Sequence, residues 1–129
     1  MKRIPKSELQ TRFKEWEPHL DKFLEKYPEF DKLSMIADLL QGDSVVWTNE
    51  LAFIIGRPNR YHTKEIFLLE ALGGADWQDW QDELDDIEDE VRAWGFNEIE
   101  VYGRLGWKKI MQGRGYSPKT IVMRKELNV

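Results

Sequence analysis

The chain has 129 residues and no cysteine, which rules out disulfides, thiolate metal sites and a cysteine nucleophile. Apolar residues are 41% of the total, enough for one core over residues 1–129. No run approaches the roughly 18 apolar residues of a membrane span, and the opening Met-Lys-Arg-Ile-Pro-Lys-Ser lacks a secretory signal, so a soluble cytoplasmic protein is expected. The net charge is −5, and nine carboxylates with no base between residues 76 and 90 argue against the continuous basic footprint that wraps nucleic acid.

Ser7 and Gln10 read as a capping box opening a helix with Leu9, Phe13 and Trp16 on its apolar side. Pro18 breaks that helix or starts a second one bearing Leu20, Phe23, Leu24 and Tyr27, and Pro28 stops it. Asp31 is placed to cap a third helix with Leu33, Ile36, Leu39 and Leu40, and Gly42 to end it. Residues 7–41 are therefore expected to be helical, and residues 44–127 to hold the sheet with its helices.

From Val45 the residues turn β-branched and aromatic, which predicts three strands around Val45 to Trp47, Phe53 to Ile55 and Ile66 to Leu69. Asn49 and Glu50 turn the first into the second, and the Gly56-Arg57-Pro58-Asn59-Arg60 stretch reads as a loop before the third. An antiparallel meander is the simplest arrangement. After Gly73-Gly74, the residues Trp77, Trp80, Leu84, Ile87, Val91 and Trp94 recur at steps of three and four, a long amphipathic helix with an apolar stripe, closed by Gly95. A strand through Ile99 and Val101, a short helix from Trp107 to Met111 and a last strand over residues 120–127 complete the series. A strand, helix, strand unit over residues 64–102 predicts that its two strands are parallel neighbours.

The stretch WGFNEIEVYGRLGWKKIMQGRGYSPKTIVMRKEL over residues 94–127, with its Gly115-Tyr116 pair, resembles the closing half of the GNAT superfamily of N-acetyltransferases. The element order agrees: an α/β (α+β) fold with N-terminal helices, a meander, a long helix and strand-helix-strand. The Gly103-Arg104-Leu105-Gly106-Trp107 segment resembles short GNAT-like proteins of tailed bacteriophages, some of them virion components.

The resemblance implies acetyl-CoA as co-substrate, no metal and direct attack of an amine on the thioester. It implies a cleft where the third meander strand parts from its parallel neighbour. Leu69, Ala71, Leu72, Gly73, Gly74 and Ala75 match the coenzyme-holding strand and turn, and Arg104 is placed to meet a phosphate or to lean on the acidic helix. Glu70 and Glu100 are the candidate bases, Tyr102 and Tyr116 the candidate acids.

Two positions depart from the family. Glu70 stands where the turn motif carries Gln or Arg, with Asp76 and Asp79 beyond it, and Met111 stands where many members carry an acidic Tyr. Two readings of function therefore stand side by side: an N-acyltransferase, and a non-catalytic GNAT-like structural or interaction protein, for instance in a phage particle. The acidic helix over residues 76–94 and the basic C-terminal region, seven bases against Glu126 over residues 103–129, are the surfaces such partners would use. His19 and His62 have no neighbour at metal-ligand spacing.

Overall fold

The structure is a computed structural model that describes residues 1–75, 77–103 and 105–128, with residues 77, 105 and 106 described through their backbone alone. The chain opens with a short strand that the charged sequence does not announce, β1 (Lys2–Arg3), whose backbone pairs antiparallel with Thr48 and Trp47. The expected capping box does not form. The first turn is a 3-10 helix over Lys6–Glu8 led by Pro5, with no side-chain cap, followed by α1 (Leu9–Arg12) and a second 3-10 turn over Phe13–Glu15.

Pro18 then sits in the first turn of α2 (Glu17–Lys26), where its missing N–H removes no helical bond. Helix α3 (Lys32–Gln41) is capped as expected: the Asp31 carboxylate accepts from the Ser34 N–H at 2.9 Å, and Gly42 ends the helix at φ 83°. Its buried face is shifted from the predicted stripe. Met35 and Leu39 are buried, while Leu33 and Leu40 are exposed.

The meander is present, with a longer reach than its apolar cores suggested. Strands β2 (Val45–Thr48), β3 (Ala52–Arg60) and β4 (Glu65–Gly74) pair antiparallel in order. Residues 56–60 are strand rather than loop, since Arg57 to Arg60 pair with Leu68 to Glu65, and the turn lies at Tyr61, whose N–H donates to the Lys64 carbonyl at 2.8 Å. At the β2–β3 turn the Asn49 side chain accepts from the N–H groups of Leu51 and Ala52 at 2.8 and 2.9 Å.

The long helix is interrupted. It runs as α4 (Trp77–Trp80), a 3-10 turn over Gln81–Glu83 and α5 (Leu84–Ala93), so the apolar stripe is carried by Trp80, Leu84, Ile87 and Val91, all buried. Trp94 is partly exposed and lies at 5.9 Å from Trp47 and 5.7 Å from Phe67. Strand β5 (Ile99–Val101) is the parallel neighbour of β4, and α6 (Leu105–Gln112) follows it.

The five strands make one sheet in chain order, apolar on both faces. On one face Leu9, Trp16, Leu20, Phe23, Met35 and Leu39 pack on Val46, Phe53, Ile55 and Ala71. On the other, Trp80, Leu84, Ile87, Val91 and Met111 pack on Trp47, Ile54, Phe67, Leu69 and Leu72. Each fully buried Leu, Ile or Phe contributes about 1.5–3 kcal/mol relative to an exposed one, so the two cores fix the sheet between its helix layers. The expected final strand is not found: residues 117–128 form no strand and are exposed.

Candidate functional site at the parting of two strands

Two backbone features build the site. Gly56 of β3 pairs with Leu69 while Ile55 pairs with Ala71, so Glu70 is an extra residue in β4, a bulge that bends the strand. On the other side, β4 pairs with β5 through Phe67 to Leu69 only, and the Tyr102 N–H closes the ladder on the Leu69 carbonyl at 3.1 Å. Beyond Leu69, no β5 partner is found for β4 among the described residues. The ladder between the two parallel neighbours therefore ends at the bulge, a fork in the pairing.

Around this fork the face of the sheet toward the N-terminal helices carries a polar group of side chains. Glu70, 11% exposed, accepts from the Arg57 Nε at 2.5 Å, and that bond before all else raises the Arg57 guanidinium above its ordinary range. Glu100 of β5 accepts from the Tyr61 hydroxyl at 2.9 and 2.7 Å, with the Asn59 amide at 3.3 Å. Losing a proton there would leave an anion against Glu100, so the Tyr61 phenol is pushed up to about 12. Tyr102 is 51% exposed beside Tyr61 and Arg57. Arg57, Asn59 and Tyr61 could not be named from sequence, because residues 56–60 read as a loop; their alternation on a strand is the signal that would have found them.

Glu70 and Arg57 line a cleft of about 770 Å³ between α3 and β3, together with Glu29, Asp31, Asp38 and Asp43. Five carboxylates face one guanidinium, which suits a cationic guest.

The remaining predicted residues are distributed differently. Tyr116 lies away from the fork on the α5 side, where its hydroxyl donates to Glu88 Oε2 at 2.8 Å; burial first, then that bond, pushes its phenol well upward. It does not join Glu70, Glu100 and Tyr102. Met111 is buried in the α5-side core as an apolar filler. Asp76 and Arg104 lie outside the described residues.

The Gly73-Gly74-Ala75 turn is shaped by the chain itself. A Cβ on Gly73 would meet the Phe53 ring at 2.7 Å, and one on Gly74, at φ 151°, would meet the Leu51 carbonyl oxygen at 2.3 Å. The Ala75 N–H donates to that same Leu51 carbonyl at 3.0 Å, and the Ala75 carbonyl accepts from the Trp80 indole at 2.9 Å. Trp80 in turn lies 6.1 Å from Trp107, which packs over Gly103, so an indole pair links the segments that follow β4 and β5.

No protein-family model matches the sequence, and no curated protein matches it. Solved structures do. A probable acetyltransferase superposes with a TM-score of 0.73 at 15% identity, covering 99% of this chain and 97% of its own. The fold is that of the GNAT acetyltransferases. A GCN5-related N-acetyltransferase from Ralstonia eutropha JMP134 gives a TM-score of 0.65 at 12% identity over 97% of this chain and 96% of that one. An aminoglycoside acetyltransferase from an uncultured soil metagenomic sample, solved in complex with sisomicin, gives 0.63 at 12% identity over 98% and 95%.

Acetyltransferases of this fold use acetyl-CoA, and the residues of this chain fit the two ends of that molecule differently. The unpaired edge of β4 over residues 70–74, with Ala71 and Gly73 small, fits the thioester arm. The turn does not fit the phosphates in the family's manner, because the Ala75 amide is committed to Leu51 and residues 65–91 hold no base. A hollow of about 310 Å³ between α4 and α6, lined by Gln78, Gln81, Lys109 and Arg114, carries the positive charge instead. Arg114 is bound to Asp82 and Asp85 at 3.3 and 2.6 Å, whereas Lys109 has no acidic partner among the described residues.

Proposed function

We propose that this GNAT-fold chain is an N-acyltransferase that acylates a cationic amine held in the acidic cleft, with Glu70 as the base. The observation that carries the reading is the Glu70–Arg57 pair, which lines that cleft at the bulge where the β4–β5 ladder ends, with Glu100, Tyr61 and Tyr102 on the neighbouring strand ends. Bound acetyl-CoA supplies an acyl group activated as a thioester, its arm held along residues 69–75 and its phosphates near Lys109.

The chain's own residues then do three things. Carboxylates of the cleft draw in and orient a protonated amine, which must lose a proton before it can attack. Glu70 receives that proton, and Arg57 holds its carboxylate in place and balances its charge. Tyr102, the exposed hydroxyl beside the fork, is placed to return a proton, a role that Tyr116 cannot take while bound to Glu88 on the far side.

The test is thiol release from acetyl-CoA with a panel of amines: a lysine peptide, spermidine and an aminoglycoside. Release that depends on the amine supports the reading; none with any acceptor, together with an unchanged melting temperature in millimolar coenzyme, refutes it.

A second reading is favoured by one specific observation, the turn whose amide and glycines serve the fold and whose own stretch of chain, residues 65–91, holds no base. On it the chain keeps the fold without the coenzyme and serves as a structural or interaction protein, for instance within a phage particle. Its signature is folded protein whose melting temperature is indifferent to acetyl-CoA.

A further inference from the structure

A phosphate cradle between a strand and a helix draws on amides free to donate, glycines that leave room for a ligand, a helix that presents partial positive charge, and a base. After β4 each of these is committed elsewhere or missing. The Ala75 N–H donates to the Leu51 carbonyl at 3.0 Å. The space beside Gly73 is taken by the Phe53 ring, and the space beside Gly74 by the Leu51 carbonyl and Ala52, so both glycines answer to the neighbouring strand. Helix α4 is a single turn that gives way to the 3-10 turn over Gln81–Glu83, too short to build a macrodipole. Residues 65–91 hold no base.

Charge points the same way. Asp79, Asp82 and Asp85 stand exposed along the segment that follows the turn. Arg114 is shared between Asp82 and Asp85 at 3.3 and 2.6 Å, so the nearby hollow is left with the exposed ammonium of Lys109. The three phosphates of coenzyme A bring about four negative charges to that one partner. An exposed point charge of this kind contributes little, because water and salt screen it.

The edge that would hold the arm is open by contrast. Beyond Leu69 the β5-facing side of β4 has no strand partner among the described residues, and Ala71 and Gly73 are small. An extended ligand with amide groups pairs with such an edge as a strand would, and its affinity comes from main-chain hydrogen bonds rather than from charge.

Building on the acyltransferase reading, we infer that this chain recognises its acyl donor by the pantetheine arm, with the phosphates adding little. The donor class is then an acyl-pantetheine thioester, whether or not a nucleotide follows the arm.

Isothermal titration without an acceptor amine measures the donor directly. S-acetyl-pantetheine should bind within about fivefold of acetyl-CoA, whereas a single charge-assisted hydrogen bond to a phosphate would separate them by about tenfold or more. Adenosine 3′,5′-bisphosphate at millimolar concentration should neither bind nor raise the melting temperature. Lys109→Gln, at an exposed position, should bring acetyl-CoA to the affinity of S-acetyl-pantetheine and leave the latter unchanged. Acetyl-CoA binding more than about fivefold tighter than S-acetyl-pantetheine, or measurable binding of the bisphosphate, would overturn the inference and leave the acyltransferase reading standing. Binding of neither thioester would overturn both.

Discussion

Replacing Gly74 by Ala tests whether the glycine turn serves the fold or a ligand. The new Cβ would stand 2.3 Å from the Leu51 carbonyl oxygen, 2.5 Å from the Ala52 Cβ and 2.6 Å from the Ala52 Cα. All three belong to the facing backbone or sit directly on it, so no side-chain rotation relieves them. Ordinary carbon–oxygen contact is near 3.2 Å, so β3 and β4 would have to separate locally by about 1 Å, an overpacking of about 1–3 kcal/mol. That separation also breaks the Ala75 N–H bond to Leu51, about 1 kcal/mol, and the backbone at φ 151° adds about 1 kcal/mol for any residue with a side chain. The sum is about 3–5 kcal/mol, which for a domain of this length lowers the melting temperature by about 10 °C or more. Thermal unfolding followed by circular dichroism measures it without any coenzyme present. A variant melting within 3 °C of wild type would refute this account, and would return the glycine to the phosphate-binding role. Gly73→Ala should be milder, because its Cβ meets the edge of the Phe53 ring, which can turn aside.

Glu70→Gln should lower amine acylation by about 100-fold or more if Glu70 is the base, while shifting stability by less than about 1 kcal/mol because its Arg57 partner is 41% exposed; equal turnover of the two proteins would remove Glu70 from the mechanism. Leu84→Ala, at a fully buried position of α5, should destabilise by about 2–5 kcal/mol in a denaturant titration. Tyr116 gives a pH dependence with a definite sign. Its folded phenol is raised above the ordinary 10.0, so the stability it contributes is fully present below pH 10 and declines above it, as the unfolded chain ionises and the folded one does not. Tyr116→Phe should flatten that alkaline decline in melting temperature, and an unchanged profile would contradict the assignment.

The sequence pattern disclosed the layers of the fold better than the site. Asp31 and Gly42 marked the ends of α3 because capping is a local matter, settled by one side chain and one backbone angle. Ser7 and Gln10 carried an equally good local signature that Pro5 and the early 3-10 turn displaced. The parallel pairing of β4 with β5 followed from the connecting helix alone. What stayed hidden depended on pairing between distant residues: Lys2 and Arg3 become a strand only because Thr48 and Trp47 are beside them, and Arg57 and Asn59 become site residues only because β3 continues past Gly56. Glu70 and Glu100 could be singled out as strand-borne carboxylates. Their engagement by Arg57 and Tyr61 could not, since no spacing in the chain records it.

The bulge has a consequence for how the strand is divided. Leu69 and Leu72 belong to the α5 layer, while Ala71 and Gly73 face the N-terminal helices, so with residue 70 omitted the remaining side chains already alternate without a fault. Deleting that residue would leave both layers filled as they are and permit a straight, regular ladder through the fork. The sheet, in other words, is complete with one residue fewer than it has, and the supernumerary one is the carboxylate that stands where the strands separate.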